Sequence, residues 1–148
     1  MQQAGAGETV VGRVAPCRIV KVPDFVDDRG GLASVEAGET IGFAIERVYY
    51  LYGMPTGTVR GAHAHRELEQ LLLALHGEFD ITVDDGRRRT RFHLDDPTRG
   101  LYIGPMIWRN LENFSPGAVG LVLASSHYDE ADYYRRYDEF LRDAERLG

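Results

Sequence analysis

Hydrophobic and polar positions alternate with a period of two over much of the chain. Phe79, Ile81 and Val83 interleave with Asp80, Thr82 and Asp84. After the Asp84-Asp85-Gly86 turn, Thr90, Phe92 and Leu94 interleave with Arg89, Arg91 and His93. This pair predicts a β-hairpin with one apolar face turned inward. Short β-branched and aromatic runs follow the same grammar at Arg47–Tyr52, Gln70–Leu75, Leu101–Ile103 and Ala118–Ala124. Turn signals separate them: Asp27-Asp28-Arg29-Gly30-Gly31, Met54-Pro55-Thr56-Gly57, Asp95-Asp96-Pro97 and Ser115-Pro116-Gly117. Many short strands at near-even spacing predict an all-β sandwich or barrel.

The two ends read differently. Residues 1–12 are rich in Gly and Ala without periodicity and are expected to form a flexible tail, with a strand entering at Val10. Residues 13–148 are expected to form a single domain. From Asp129 onward, Tyr133, Tyr137, Phe140 and Leu141 recur at helical spacing, with acids in front and Arg142 and Arg146 behind. One or two short C-terminal helices packed on the β-body are expected.

Composition narrows the function. In 148 residues, 17 bases against 23 acids leave a net charge of −6, which argues against a general nucleic-acid binder. The arginine block at Arg87–Arg91 reads as a solvated hairpin edge. Cys17 is the single cysteine, so no internal disulfide or thiolate cluster can form within one chain, and it reads as an inert thiol. No apolar run reaches the roughly 18 residues of a membrane span, and Met1–Gly7 is not a secretory signal. A cytoplasmic protein is the expectation, with no nucleic-acid or membrane partner.

The chemistry concentrates in Gly57-Thr-Val-Arg60-Gly-Ala-His63-Ala-His65-Arg-Glu-Leu-Glu69. Residues i and i+2 of a strand share a face, so His63 and His65 are expected to open into one cavity. Paired imidazoles can move protons or, with Glu69, hold a metal. The spacing resembles the first motif of the cupins, small jelly-roll barrels, with Gly77 one residue later than that motif has its final glycine. In the stretch equivalent to the second motif, Ile107 stands at the glycine position and Asn110 at the position of the fourth metal ligand. An amide replaces imidazole poorly as a ligand, which counts against a metal site.

Further segments extend the likeness over about residues 15–141: Arg47-Val-Tyr-Tyr-Leu, Asp96-Pro-Thr-Arg-Gly-Leu-Tyr-Ile, Ile107-Trp108-Arg109, Phe114-Ser-Pro-Gly, Tyr128-Asp-Glu-Ala-Asp-Tyr and Tyr137-Asp-Glu-Phe-Leu. Together they resemble the WxcM-like sugar 3,4-ketoisomerases. That resemblance implies a cupin jelly-roll homodimer acting on dTDP-4-keto-6-deoxyglucose, without metal or other cofactor. No dinucleotide-binding or phosphate-loop motif is present in the sequence either.

Carbonyl migration between C4 and C3 needs a base and an acid at those carbons. His65 is expected as the principal proton-transfer group, with His63 beside it. Tyr50 and Tyr52, which share a strand face opposite Tyr49, are the expected acids. Arg29, Arg47 and Arg60 are candidate diphosphate ligands, and Trp108 a stacking surface. Glu69 is read as a ligand or as a residue orienting a histidine. His76, His93 and His127 carry no supporting pattern. Two other functions fit the same residues: a metal-dependent cupin oxygenase using His63, His65 and Glu69, and a non-catalytic nucleotide-sugar-binding cupin.

Overall fold

The computed structural model describes residues 8–10 and 14–147, the side chains from Val14 onward. The remainder of the expected N-terminal tail lies outside the described residues. Glu8–Val10, inside that expected tail, is a strand (β1) paired with Arg89–Leu94 (β9).

Two antiparallel sheets face each other. One runs β1, β9, Phe79–Asp84 (β8), Trp108–Glu112 (β11), Arg60–His65 (β6) and Tyr133–Tyr134 (β13). The other runs Arg18–Lys21 (β2), Arg99–Ile103 (β10), Gln70–His76 (β7), Val119–Ala124 (β12) and Arg47–Leu51 (β5). A hairpin of Asp24–Asp27 (β3) and Gly30–Ala33 (β4) forms a sheet of its own. This arrangement is the expected cupin-like jelly roll.

The alternation read along β8 and β9 has a direct physical counterpart. Phe79, Ile81, Val83, Phe92 and Leu94 are buried between the sheets with Leu72, Leu101, Ile103 and Val122. β7 is buried over most of its length, as the continuous run Leu71–Ala74 requires of a strand covered on both faces.

The expected short C-terminal helix is present, but it starts later than the helical spacing of Tyr133 suggests. Asp129 caps a single 3-10 turn, Glu130–Asp132, by accepting from the Ala131 N–H. Tyr133 and Tyr134 then pair as β13 with His65 and Ala64 of β6. The helix (α1) is confined to Tyr137–Leu147. Tyr133 sits at helical spacing from Tyr137, but the free edge of β6 offers it main-chain partners, and those win. Phe140 of α1 is fully buried against Trp108 and Tyr134. Among the described residues, no helix is long and apolar enough to cross a membrane.

Candidate active site

A bulge in β6 builds the site. Arg60 pairs with Leu111 and His63 with Arg109, so Gly61 and Ala62 together oppose Asn110. Both carry left-handed φ angles, 89° and 51°. Arg60 and His63 are three apart and would point to opposite faces of a regular strand. The extra residue turns both inward, opposite the inward-facing Leu111 and Arg109. They line one cavity of about 330 Å³, together with Arg47, Tyr49, Gln70, Tyr133 and Arg135.

The two histidines share that side of the sheet. Their rings meet edge to face with centroids 4.8 Å apart, and Tyr133 packs on both, at 5.1 Å from His63 and 4.3 Å from His65. His63 lines the cavity, whereas His65 lies behind it, 1% exposed. Their hydrogen bonds fix the neutral tautomers. Nδ1–H of His63 donates to the Gly61 carbonyl at 2.9 Å. Nδ1–H of His65 donates to Asp132 Oδ2 at 3.0 Å. The other Asp132 oxygen accepts from the Glu67 main-chain N–H at 2.8 Å, and its carbonyl accepts from the Arg66 N–H. Nε2 of His65 is buried without a hydrogen-bond partner.

Burial first, then the Arg109 guanidinium, lowers the His63 pKa to about 4. The same two causes, in the same order, hold His65 below the ordinary imidazole range. What Asp132 sets around the neutral ring is the tautomer, with a bare lone pair on Nε2.

Positive charge dominates the cavity. Arg109 is 2% exposed and donates to the Ile107 carbonyl and to Gln70 Oε1. Among the described residues, Arg47, Arg60 and Arg109 form no salt bridge, whereas Arg135 is held bidentate by Glu130. The Arg47 Nε is buried without an acceptor. Unpaired guanidiniums around a concave, half-enclosed site suit an anionic ligand.

Several expected positions require correction. Tyr50 and Tyr52 face away from the cavity and are 62% and 71% exposed. Tyr49 takes the inward place, and its hydroxyl accepts from Gln70 Nε2 at 3.0 Å. Both faces of β5 carry apolar residues, so alternation could not tell which one turned inward. Arg29 sits at the exposed tip of the β3–β4 hairpin, paired with Asp27 at 2.6 Å and remote from the cavity lining. Trp108 packs beneath α1, edge-on to Tyr137 at 5.3 Å and against Phe140 at 5.9 Å. It occupies the outward register of β11, because Arg109 and Leu111 hold the inward one.

Glu69 accepts from the Tyr102 hydroxyl at 2.6 Å instead of joining the histidines. Among the described residues, no group of three or more His, Cys, Asp or Glu side chains is gathered to hold a metal ion. Cys17 is half-buried, and desolvation pushes its thiol up to about 12, as an inert thiol requires. His93 is clamped between Asp80 and Glu78 at 2.6 and 2.7 Å, away from the cavity.

Asp132, Gln70 and Arg109 were not identified from sequence as site residues. Asp132 lay hidden among acids that read as a helix front. Arg109 belonged to the stretch already likened to a family segment, but its burial had no sequence signal. Gln70 alone offered one, as an amide heading an apolar strand.

The fold and this site define a cupin-like barrel equipped for proton transfer on an anionic ligand. Comparison with known proteins makes this specific. Residues 15–145 match the family model described as FdtA: WxcM-like, C-terminal, and the chain belongs to that family. It is 42% identical, over 83% of this chain and 88% of the relative, to the TDP-4-oxo-6-deoxy-alpha-D-glucose-3,4-oxoisomerase of Aneurinibacillus thermoaerophilus. A variant of the 3,4-ketoisomerase QdtA from Thermoanaerobacterium thermosaccharolyticum, in complex with TDP-4-keto-6-deoxyglucose, superposes with a TM-score of 0.89. That match has 37% identity and covers 90% of this chain and 97% of that one. The WlaRB TDP-quinovose 3,4-ketoisomerase of Campylobacter jejuni superposes with a TM-score of 0.84, at 45% identity over 87% of this chain and 99% of its own.

Proposed function

We propose that this protein is a sugar-nucleotide 3,4-ketoisomerase, moving the keto group of dTDP-4-keto-6-deoxyglucose from C4 to C3 for deoxysugar biosynthesis. The observation that carries the reading is the bare Nε2 of His65. Its opposite nitrogen is held by Asp132, beside a cavity with unpaired guanidiniums. Similarity to the ketoisomerases above supports the substrate class.

The C3 proton is acidified by the neighbouring ketone. His65 Nε2 takes it once the sugar displaces the side chains that cover this nitrogen, and Asp132 steadies the imidazolium that results. The electron pair moves through C3–C4 onto the C4 oxygen, giving an enediolate. Returning a proton to C4, while the C3 hydroxyl gives up its own, completes the exchange. No net oxidation occurs. Arg109 and the Tyr49 hydroxyl are placed to stabilise charge on the sugar oxygens, and His63 to pass protons between them. Arg47 and Arg60 take the diphosphate as guanidinium forks.

Incubating the purified protein with dTDP-4-keto-6-deoxyglucose in deuterated water tests this. The expected product is the 3-keto sugar with deuterium at C4, and full recovery of unlabelled substrate would overturn the reading.

The active form is a homodimer in this proposal. Phe25, Val26 and Leu32 of the β3–β4 hairpin, Val48 and Tyr50 of edge strand β5, and Tyr52 just beyond it are all more than half exposed. That apolar area on exposed strands asks for cover, and a second copy supplies it.

A further inference from the structure

Gln70 heads central strand β7, ahead of the apolar run Leu71–Leu75, and it is 2% exposed. Its backbone pairs with Ile103 on one side and Ala124 on the other, so its position is fixed from both flanks. Its amide bridges Arg109 and Tyr49.

The polarity of that bridge follows from chemistry. A guanidinium has no acceptor, so the amide atom facing Arg109 must be the oxygen. The NH₂ group therefore faces Tyr49 and donates to the phenol oxygen. With a donor already on that oxygen, the Tyr49 hydroxyl must send its own proton elsewhere, and the side chain lines the cavity.

We propose that Gln70 is a positioning residue that, oriented by Arg109, forces the Tyr49 hydroxyl to act as a hydrogen-bond donor toward the substrate's carbonyl oxygen. This deepens the function proposed above and rests on it for its kinetic consequence. The amide also lets the phenol carry negative charge when its proton is shared, because a donor on the phenol oxygen stabilises that charge.

Gln70→Glu separates this role from packing. The new carboxylate meets the Arg109 cation without a change of volume, so the folded state should be kept. The same carboxylate accepts the Tyr49 proton and withdraws it from the cavity. The expected outcome is a kcat lowered by about 100-fold, with KM within about threefold and thermal stability retained. Tyr49→Phe should then cost little more in the Gln70→Glu background, although it is costly alone. Turnover within about threefold of the parent, or full additivity of the two changes, would overturn the proposal.

A second measurement needs no substrate and stands whether or not the parent chain turns over the proposed sugar. Tyrosine labelled with ¹³C at Cζ, with Tyr49→Phe for assignment, reports ionisation of this one phenol. Gln70→Met adds no charge and removes the donor, so Tyr49 should ionise at higher pH than in the parent. An unchanged Tyr49 titration would refute the relay even if Gln70→Glu failed to fold.

Discussion

At the scale of the residue, the reactive group is set by which atom is left unpaired. His65 and His63 each spend Nδ1–H on an oxygen acceptor, and His65 keeps its buried Nε2 bare. Asp132 decides this for His65. In Asp132→Asn, the amide oxygen keeps the Glu67 N–H and the amide NH₂ turns to His65. It then donates to Nδ1 and moves the ring proton to Nε2. The variant should fold and bind nucleotide, with kcat reduced on the order of 100-fold or more. Steady-state kinetics beside a dTDP-binding isotherm checks this, and parental kcat would rule out the orienting role.

The cavity also sets the acid limb. His63 titrates at about 4, below the free imidazole, so it stays neutral through the mildly acidic range. The profile of kcat/KM should stay level from neutral pH to about pH 5 and fall as His63 protonates. An acid limb centred near 6.5 would mean solvated rings. Linkage runs in the same direction. Between 6.5 and 4 the unfolded chain binds protons that the folded one refuses, so stability declines as pH falls through that window.

At the scale of the element, the bulge of β6 is the decisive device, and two residues pay for it. Gly61 takes a φ of 89°, and a Cβ there would lie 3.0 Å from the Arg109 carbonyl oxygen. Gly61→Val should lower stability by about 2 kcal/mol, measured by chemical denaturation. Activity should fall further than the folded fraction does, because the change shifts Arg60 and His63 out of register together. Loss of activity in strict proportion to unfolded protein would show that the bulge is only structural.

Strand identity was legible because β8, β9 and β12 have a wet and a dry face, or two dry ones. The facing of β5 was not, since Tyr49, Tyr50 and Tyr52 are chemically alike and only pairing with β12 decides among them. The spacing of His63 and His65 placed both rings on one side of β6, and their rings do meet there, 4.8 Å apart. The bulge beneath it left no mark beyond one glycine. Trp108 and Arg109 are neighbours with opposite fates for the same reason: adjacent residues of a strand face opposite ways, and sequence alone does not say which way is in.

At the scale of the whole molecule, charge is partitioned. The chain is acidic overall, yet Arg47, Arg60 and Arg109, which form no salt bridge among the described residues, line a single cavity. An acidic exterior around a cationic pocket suits a ligand whose negative charge is concentrated in one diphosphate. The exposed strands set a second expectation at this scale. Sedimentation at micromolar concentration should give a dimer, and Leu32→Asp combined with Tyr50→Asp should give a folded monomer. A parent chain that sediments as a monomer would leave that apolar area without its proposed cover.

The carboxylate that orients His65 comes from the turn after the last long strand, and Tyr134 beside it is tied through its hydroxyl to Asp143 of α1 at 2.6 Å. The segment that carries Asp132 also brings Tyr133 to the cavity lining and Phe140 to the core beside Trp108, so one short stretch of chain couples the orientation of His65 to the packing of the barrel wall.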